Sequence, residues 1–123
     1  MKDLSFNEIN KKLQWKDFHD SSLISFSFHF FEKNDFKYNS KIIIEIETLF
    51  KNNVDKPILL EFIFKKINNI EFNAFMNDKD FADSSTIYSF TKKDNYIELV
   101  SVPGWKLAFY SNEITINIEE ESK

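Results

Sequence analysis

Apolar residues recur at every second position over most of this chain, from Ser22 nearly to the C-terminus. A period of two places alternate side chains on opposite faces of a strand, so the pattern predicts half-buried β-strands. The first three runs are the clearest, and we expect each apolar set to face the core. These sets are Ile24, Phe26, Phe28 and Phe30; Ile42, Ile44 and Ile46; and Ile58, Leu60, Phe62 and Phe64.

Five weaker runs follow and bring the expected number of strands to about eight, the spacing typical of sandwiches and meanders. They cover residues 70–75, 86–92, 96–102, 106–110 and 114–118. Asn and Asp tolerate the left-handed backbone of tight turns, so we place turns where they cluster. The expected turns are at residues 33–35, 52–53, 68–69, 94–95 and 111–112. Links this short predict antiparallel neighbours, since a parallel crossover is much longer.

The residues before Ser22 have helical spacing instead. Ser5 and Glu8 have the S-x-x-E pattern of a capping box, and Leu4 and Ile9 have the spacing of a hydrophobic staple. An apolar stripe follows at Phe6, Ile9 and Leu13. We therefore expect a short helix over residues 6–14 that docks on or beside the sheet, and an α+β fold that is mainly antiparallel β.

Length and composition limit the class of protein. A chain of 123 residues fits one domain, here residues 1–123, with a single core. The absence of Cys excludes disulfides, thiolate metal sites and Cys nucleophiles. The start MKDLSFNEINKK lacks the apolar segment of a secretory signal, and no run has the length of a membrane span. We expect a soluble, cytoplasmic protein that has no membrane contact and needs no cofactor.

The charge balance bears on the kind of partner. All 16 positive residues are Lys, against 20 acidic residues, and the net charge is -4. The Lys residues are scattered and form no basic stripe, which argues against binding to nucleic acid. A protein partner, such as a basic domain, suits this balance better.

The His19-Asp20 pair stands directly before the first strand and has two interpretations. As chemistry, such a pair belongs to metal phosphohydrolases, but a metal site needs further ligands and the chain has just one other His, His29. As structure, Asp20 and the Ser21 and Ser22 hydroxyls bond local backbone groups while His19 holds the corner by hydrogen bonds. We favour the structural interpretation, with His19, Asp20 and Ser21 forming a corner of the fold.

Strand register predicts an acidic patch on the outer face of the sheet. Core faces must stay together in a hairpin, so joining the second and third strands places Glu61 opposite Glu45 or Glu47. These three carboxylates would gather beside Ser25, Ser27 and His29 of the first strand, either as a binding surface for a basic partner or as a plain solvated face. Several apolar residues share this face, and their combined apolar area is too large to remain exposed to water: Leu23, Phe31, Ile43, Leu49, Leu59 and Ile63. Either the N-terminal helix or a second molecule, including another copy of the chain, would cover part of it.

The two Trp residues are assigned from their neighbours. Trp105 follows a Pro-Gly turn, and we carry it forward as an interface anchor, with packing at the rim of the core as the alternative. Trp15 is expected to fill the junction between the helix and the sheet. The candidate partner-binding residues are thus Glu45, Glu47, Glu61, His29 and Trp105.

The order of these features resembles a group of small bacterial proteins that includes immunity proteins of polymorphic toxin systems. The resemblance rests on Trp15, on Phe18-His19-Asp20-Ser21 with Leu23, on Leu60-Glu61-Phe62 and on the run from Leu107 to Ile116. It spans most of the chain but consists mainly of strand patterns. It implies a β-rich protein without catalysis that binds and blocks a cognate toxin, and it assigns no binding residues.

Three functions therefore remain open after the sequence alone. The first is a non-catalytic protein-binding module of the immunity type. The second is a small metal-dependent hydrolase that uses His19, Asp20 or the His29 face. The third is a small-ligand binder with a cavity lined by the 15 Phe side chains. A concave site with converging His and acidic residues would favour the second, and a void inside the sheet would favour the third.

Overall fold

The structure, a computed structural model, describes residues 5–29, 40–74, 86–102 and 104–120. Leu4 of the staple, Phe30 and Phe31 of the first strand, and the turn expected at residues 33–35 lie outside these ranges. The elements are one short helix, α1 (Phe6–Lys12), a 3-10 turn (Lys16–Phe18), and six strands: β1 (Ser22–His29), β2 (Lys41–Phe50), β3 (Asn53–Ala74), β4 (Thr86–Lys93), β5 (Tyr96–Val102) and β6 (Trp105–Glu120).

The strands form one closed barrel in the order β1-β2-β3-β6-β5-β4, with antiparallel pairing throughout. The closing contact between β1 and β4 is short and pairs Ser22 with Thr86. The predicted mainly antiparallel fold with an N-terminal helix is confirmed. Closure removes most of the exposed edges that an open sheet would have.

The described part of the chain has six strands where we expected about eight, because two expected turns lie inside long strands. Residues 68–69 belong to β3, and residues 111–112 belong to β6. Asn69 does adopt the left-handed region, at φ 55°, but it does so at an irregularity in the pairing of β3 with β6. A residue suited to a turn is equally suited to a bulge. The turn expected at 94–95 is present, with Asp94 at φ 55°.

Helix α1 begins at the predicted capping box. The Ser5 backbone N–H donates to Glu8 Oε1 at 2.8 Å, and the Glu8 N–H donates to Ser5 Oγ at 3.1 Å. The apolar stripe is buried as expected, at Phe6, Ile9 and Leu13. Backbone hydrogen bonds from Gln14 N–H to Leu49 C=O and from Lys51 N–H to Lys12 C=O then attach the end of the helix to the end of β2. Helix α1 therefore packs against the interior of the barrel and does not lie on its outer face.

Aromatic rings fill the interior between α1 and the strands. Phe6 lies against Phe18, Phe62 and Phe90, with ring centroids 5.8, 5.6 and 5.1 Å apart. Phe64 extends this cluster to Phe109 of β6, with ring centroids 5.1 Å apart. The alternating sets of β2 and β3 face this cluster as predicted and are buried: Ile42, Ile44, Ile46, Ile58, Leu60, Phe62 and Phe64. Six Phe side chains thus fill the core, where the ligand-binding hypothesis required them to line a void: Phe6, Phe18, Phe62, Phe64, Phe90 and Phe109.

The core face predicted for the first strand is wrong at its start. The register of β1 against β2 shifts between Leu23 and Ser25, so Leu23 packs on the core while Ile24 is 53% exposed. Beyond the shift Phe26 packs on the core as expected, whereas Phe28, predicted for the same face, is 37% exposed. One extra residue in a strand exchanges the two faces on one side of the bulge, which alternation alone does not reveal.

Candidate functional site

Four polar residues lie in one row across the outer face of the barrel. The row runs from Ser25 on β1 to Glu45 on β2, Glu61 on β3 and Asn117 on β6, each residue being the register partner of the next. The predicted opposition of Glu61 to Glu45 is therefore present. Glu47 lies further along β2 and pairs with Leu59.

Neutral groups hold the two opposed carboxylates. Ser25 Oγ donates to Glu45 Oε1 at 2.7 Å, and Asn117 Nδ2 donates to Glu61 Oε1 at 2.8 Å. Within the described ranges, no Lys forms an ion pair with Glu45, Glu47 or Glu61, whereas two other ion pairs join Lys66 to Glu113 and Lys106 to Glu98. The negative charge of this row is therefore fixed in place but is not neutralised.

Apolar side chains surround the row and stay partly exposed. Ile43, Leu59 and Ile63 point to the outer side of β2 and β3 and are half-buried. A hollow of about 350 Å³ is lined by Glu45, Leu59, Glu61, Asn117, Ile118 and Glu119. Since α1 packs its apolar stripe into the core, the helix does not cover this face. We call the surface formed by Glu45, Glu47, Leu59, Glu61 and Asn117 the acidic face.

His29 lies apart from the acidic face. It pairs with Lys41, whereas Ser25 pairs with Glu45. Four residues of extended chain separate His29 from Ser25, a distance of about 13 Å at ordinary strand rise. The His29 ring contacts Ser27 Oγ through Nε2 at 2.9 Å. His29 therefore lies on the outer face that the sequence predicted, but further along β1 than the row of carboxylates.

The His-Asp-Ser motif forms the seam that closes the barrel between β1 and β4. The Asp20 N–H donates to Ile87 C=O and the Ile87 N–H donates to Ser21 C=O, both at 2.9 Å. His19 Nδ1 lies 3.0 Å from the Tyr88 carbonyl oxygen. A carbonyl only accepts, so Nδ1 carries the proton and donates. His19 thus holds this corner by a hydrogen bond as predicted, but the bond reaches β4. The predicted side-chain bonds to local backbone groups are replaced, since Asp20 bonds β4 through its backbone N–H and the Ser21 hydroxyl bonds Thr48.

Ser21 joins the same seam to β2. Its Oγ lies 2.7 Å from Thr48 Oγ1, and both side chains are buried. The backbone bends sharply just before, with Phe18 at φ 62° and Asp20 at φ 69°. A positive φ is costly for a residue such as Phe, and burial of its ring in the core offsets that cost.

A cleft of about 330 Å³ opens beside the seam and was not anticipated. Its charged or aromatic lining residues are Trp15, His19, Asp20 and Glu47, and no Lys of the described ranges lines it. Trp15 is 39% exposed here, so the expectation that it fills the junction between helix and sheet is wrong. Glu47 belongs both to this corner cleft and to the acidic face. The two features therefore form one continuous surface.

Trp105 lies in the core and not at the surface. It is 2% exposed and packs against Phe26 and Phe72, at ring-centroid distances of 5.4 and 5.7 Å. Its role as an interface anchor is thus excluded by its burial, and the alternative of packing with the core holds. Sequence proximity to a turn identified the wrong Trp, because Trp15 is the one that is exposed.

The described ranges contain no group of three or more His, Asp or Glu side chains arranged to hold a metal ion. The same ranges contain no helix with the length and apolar character needed to cross a membrane. No protein-family model, no curated protein and no solved structure matches the chain. The arguments on function therefore rest on the acidic face and the corner cleft.

Proposed function

We propose that this chain is a non-catalytic binding protein that blocks a basic protein, in the manner of a bacterial immunity protein against its toxin. The observation that carries the proposal is the pair Glu45 and Glu61, opposed across two strands and held by neutral donors. Opposed like charges cost stability in the free protein. A basic partner would remove that cost on binding.

The surroundings of the pair suit a protein partner. Ile43, Leu59 and Ile63 provide half-exposed apolar area beside the carboxylates, and a typical interface combines apolar area with polar groups. Strands β2 and β3 behind them are each paired on both sides, so little ordering of the backbone is needed when the partner binds. Clustered charge also speeds the encounter of oppositely charged proteins.

The corner cleft offers a receptor for one basic side chain of the partner. Asp20 and Glu47 provide two carboxylates, and the exposed Trp15 provides an aromatic face. A Lys or Arg side chain gains both an ion pair and a cation–π contact in such a setting. We propose that this residue of the partner anchors the complex beside the acidic face.

The experiment is a neutralisation assay that takes the product of the gene adjacent to this one as the candidate toxin domain. The toxin domain is expressed in a bacterial host alone, with the wild-type chain, or with the double variant Glu45→Gln/Glu61→Gln. We expect the wild-type chain to restore growth and to copurify with the toxin domain, and the double variant to lose both effects.

Glu98→Gln is the matched control, because it removes one carboxylate from β5 on the other side of the barrel. It should neutralise as well as the wild-type chain does. Neutralisation by the double variant at wild-type expression would contradict the role of the acidic face. Failure of the wild-type chain to bind the toxin domain would contradict the proposed function.

A further inference from the structure

Half of β6 has a free edge. Residues 113–120 of β6 pair with residues 58–65 of β3 on one side. On the other side β5 pairs with β6 only as far as Tyr110, and a last backbone bond joins the Ser111 N–H to Asn95 C=O. Beyond that point, the described part of the chain provides no strand partner for this side of β6.

The backbone groups of this edge point towards solvent at alternate residues. The burial pattern of β6 shifts by one residue between the buried Ser111 and Ile114, which packs on the core. The N–H and C=O groups of the inward-facing Ile114, Ile116 and Ile118 therefore point to the same side as the Ser111 N–H, which is the β5 side. Glu113 faces β3 instead, because its N–H donates to Ser111 Oγ at 3.4 Å and that hydroxyl donates to Lys65 C=O of β3. Three successive sets of backbone donors and acceptors are thus available along one straight segment.

Devices that normally protect a free edge are few here. The segment from Glu113 to Glu119 contains no Pro and no Lys, and its register with β3 is regular. Its inner side chains Ile114 and Ile116 are only partly buried and line a groove of about 270 Å³, which also reaches Phe6 and Lys92. Long, regular and apolar edges of this kind accept an additional strand.

We propose that the partner adds a basic β-strand to this edge of β6, next to the acidic face. This inference rests on the proposed function and specifies how the partner binds. The partner strand would alternate basic and apolar residues. Its basic side chains would lie on the outer side with Asn117, Glu119 and the neighbouring Glu61, and its apolar side chains would enter the groove beside Ile114 and Ile116.

Charge decides between a foreign strand and a second copy of this chain. The outer residues of β6 and β3 near the edge include Glu61 and Glu119, so a second β6 would extend the acidic face and bring more like charge to it. A Lys-bearing strand brings the opposite charge instead. The occupant is therefore a basic extended segment of another protein.

The test uses a synthetic peptide of about eight residues, an ordinary strand length, that alternates Lys and Val. Its binding to the purified wild-type chain is measured by isothermal titration calorimetry. A second peptide of the same sequence carries a methyl group on every backbone amide, which keeps the charges and removes the strand donors. We expect the first peptide to bind and the methylated peptide to bind at least about tenfold more weakly.

Variants of the protein separate this inference from the proposed function. Ile116→Pro removes an N–H that points to the free edge and blocks that edge, at a position where an edge strand tolerates Pro. Ile116→Val keeps the backbone and most of the side chain. We expect the Pro variant to lose peptide binding at least about tenfold and the Val variant to retain it. Thermal unfolding shows whether the Pro variant is folded, and the methylated peptide gives the same test on the wild-type chain.

Three results would overturn the inference. Equal binding of both peptides would show that charge alone attracts them. An Ile116→Pro variant that is folded and still neutralises the toxin domain, while Glu45→Gln/Glu61→Gln does not, would leave the proposed function intact and remove strand addition. A wild-type dimer in sedimentation that Ile116→Pro dissociates would assign the edge to a second copy of the chain.

Discussion

Glu45 and Glu61 face each other across β2 and β3, and neither carboxylate has a cation beside it within the described ranges. In most sheets a Lys in one of these positions would give a favourable cross-strand pair. Here a Ser hydroxyl and an Asn amide hold the carboxylates in place. The arrangement costs stability in the free chain and is explained if a basic partner completes it.

The cost of this pair is measurable. Glu45→Gln removes the repulsion and keeps a side chain that accepts from Ser25, so we expect the free energy of unfolding to rise by about 0.2–1 kcal/mol. Urea unfolding provides the measurement. Added salt should narrow the difference, because it screens exposed charges. A variant less stable than the wild-type chain at low salt would contradict the account.

The buried bond between Ser21 and Thr48 supports the barrel seam. Ser21→Ala leaves the Thr48 hydroxyl buried without its partner, and we expect a loss of about 1–3 kcal/mol in the free energy of unfolding. Adding Thr48→Val removes the second hydroxyl and should recover part of that loss. A double-mutant cycle by urea unfolding tests this, and strictly additive losses would show that the hydroxyls do not interact.

His19 is expected to act through its bond to β4. His19→Ala removes the donor to the Tyr88 carbonyl and should lower the free energy of unfolding by about 0.5–1.5 kcal/mol. His19→Asn is the matched control, since its amide nitrogen can occupy the position of Nδ1 and should restore much of the stability. Loss of a measured enzymatic turnover in His19→Ala, with an unchanged melting temperature, would instead show that His19 is catalytic.

The bulge in β1 predicts different tolerance at two Ile residues. Ile24 is 53% exposed, so Ile24→Ala should change the free energy of unfolding by no more than about 0.5 kcal/mol. Ile44 is fully buried, and Ile44→Ala should cost about 2–5 kcal/mol. Thermal or urea unfolding of both variants checks the difference. Similar losses at the two positions would place Ile24 in the core, as alternation alone predicts.

Alternation predicted β2 and β3 correctly because their pairing is regular over the core. It failed at Ile24, since one inserted residue leaves no mark in the apolar pattern of a strand. The residue types that favour turns also occur at bulges inside long strands. For that reason Asn68 and Ser111 were wrongly predicted to lie in turns. Ser111 instead donates through its Oγ to Lys65 C=O at 2.7 Å, which helps to join β6 to β3.

The acidic face was predictable in part. Register alone placed Glu61 against Glu45, since core faces must coincide. Asn117 was not found, because it lies 56 positions from Glu61 in the chain and the pairing of β3 with β6 is not local. The exposure of Trp15 and Trp105 was predicted the wrong way round for a similar reason. It depends on which strands pack against each ring, and those contacts are not local in the chain.

The most direct measurement is the affinity of the toxin domain for the wild-type chain, Glu45→Gln/Glu61→Gln and Glu98→Gln, by isothermal titration calorimetry at low and high salt. The account predicts that the double variant binds at least about tenfold more weakly, a loss of ~1.4 kcal/mol or more, and depends less on salt. It predicts that Glu98→Gln matches the wild-type chain. Equal affinity and equal salt dependence for all three proteins would contradict it.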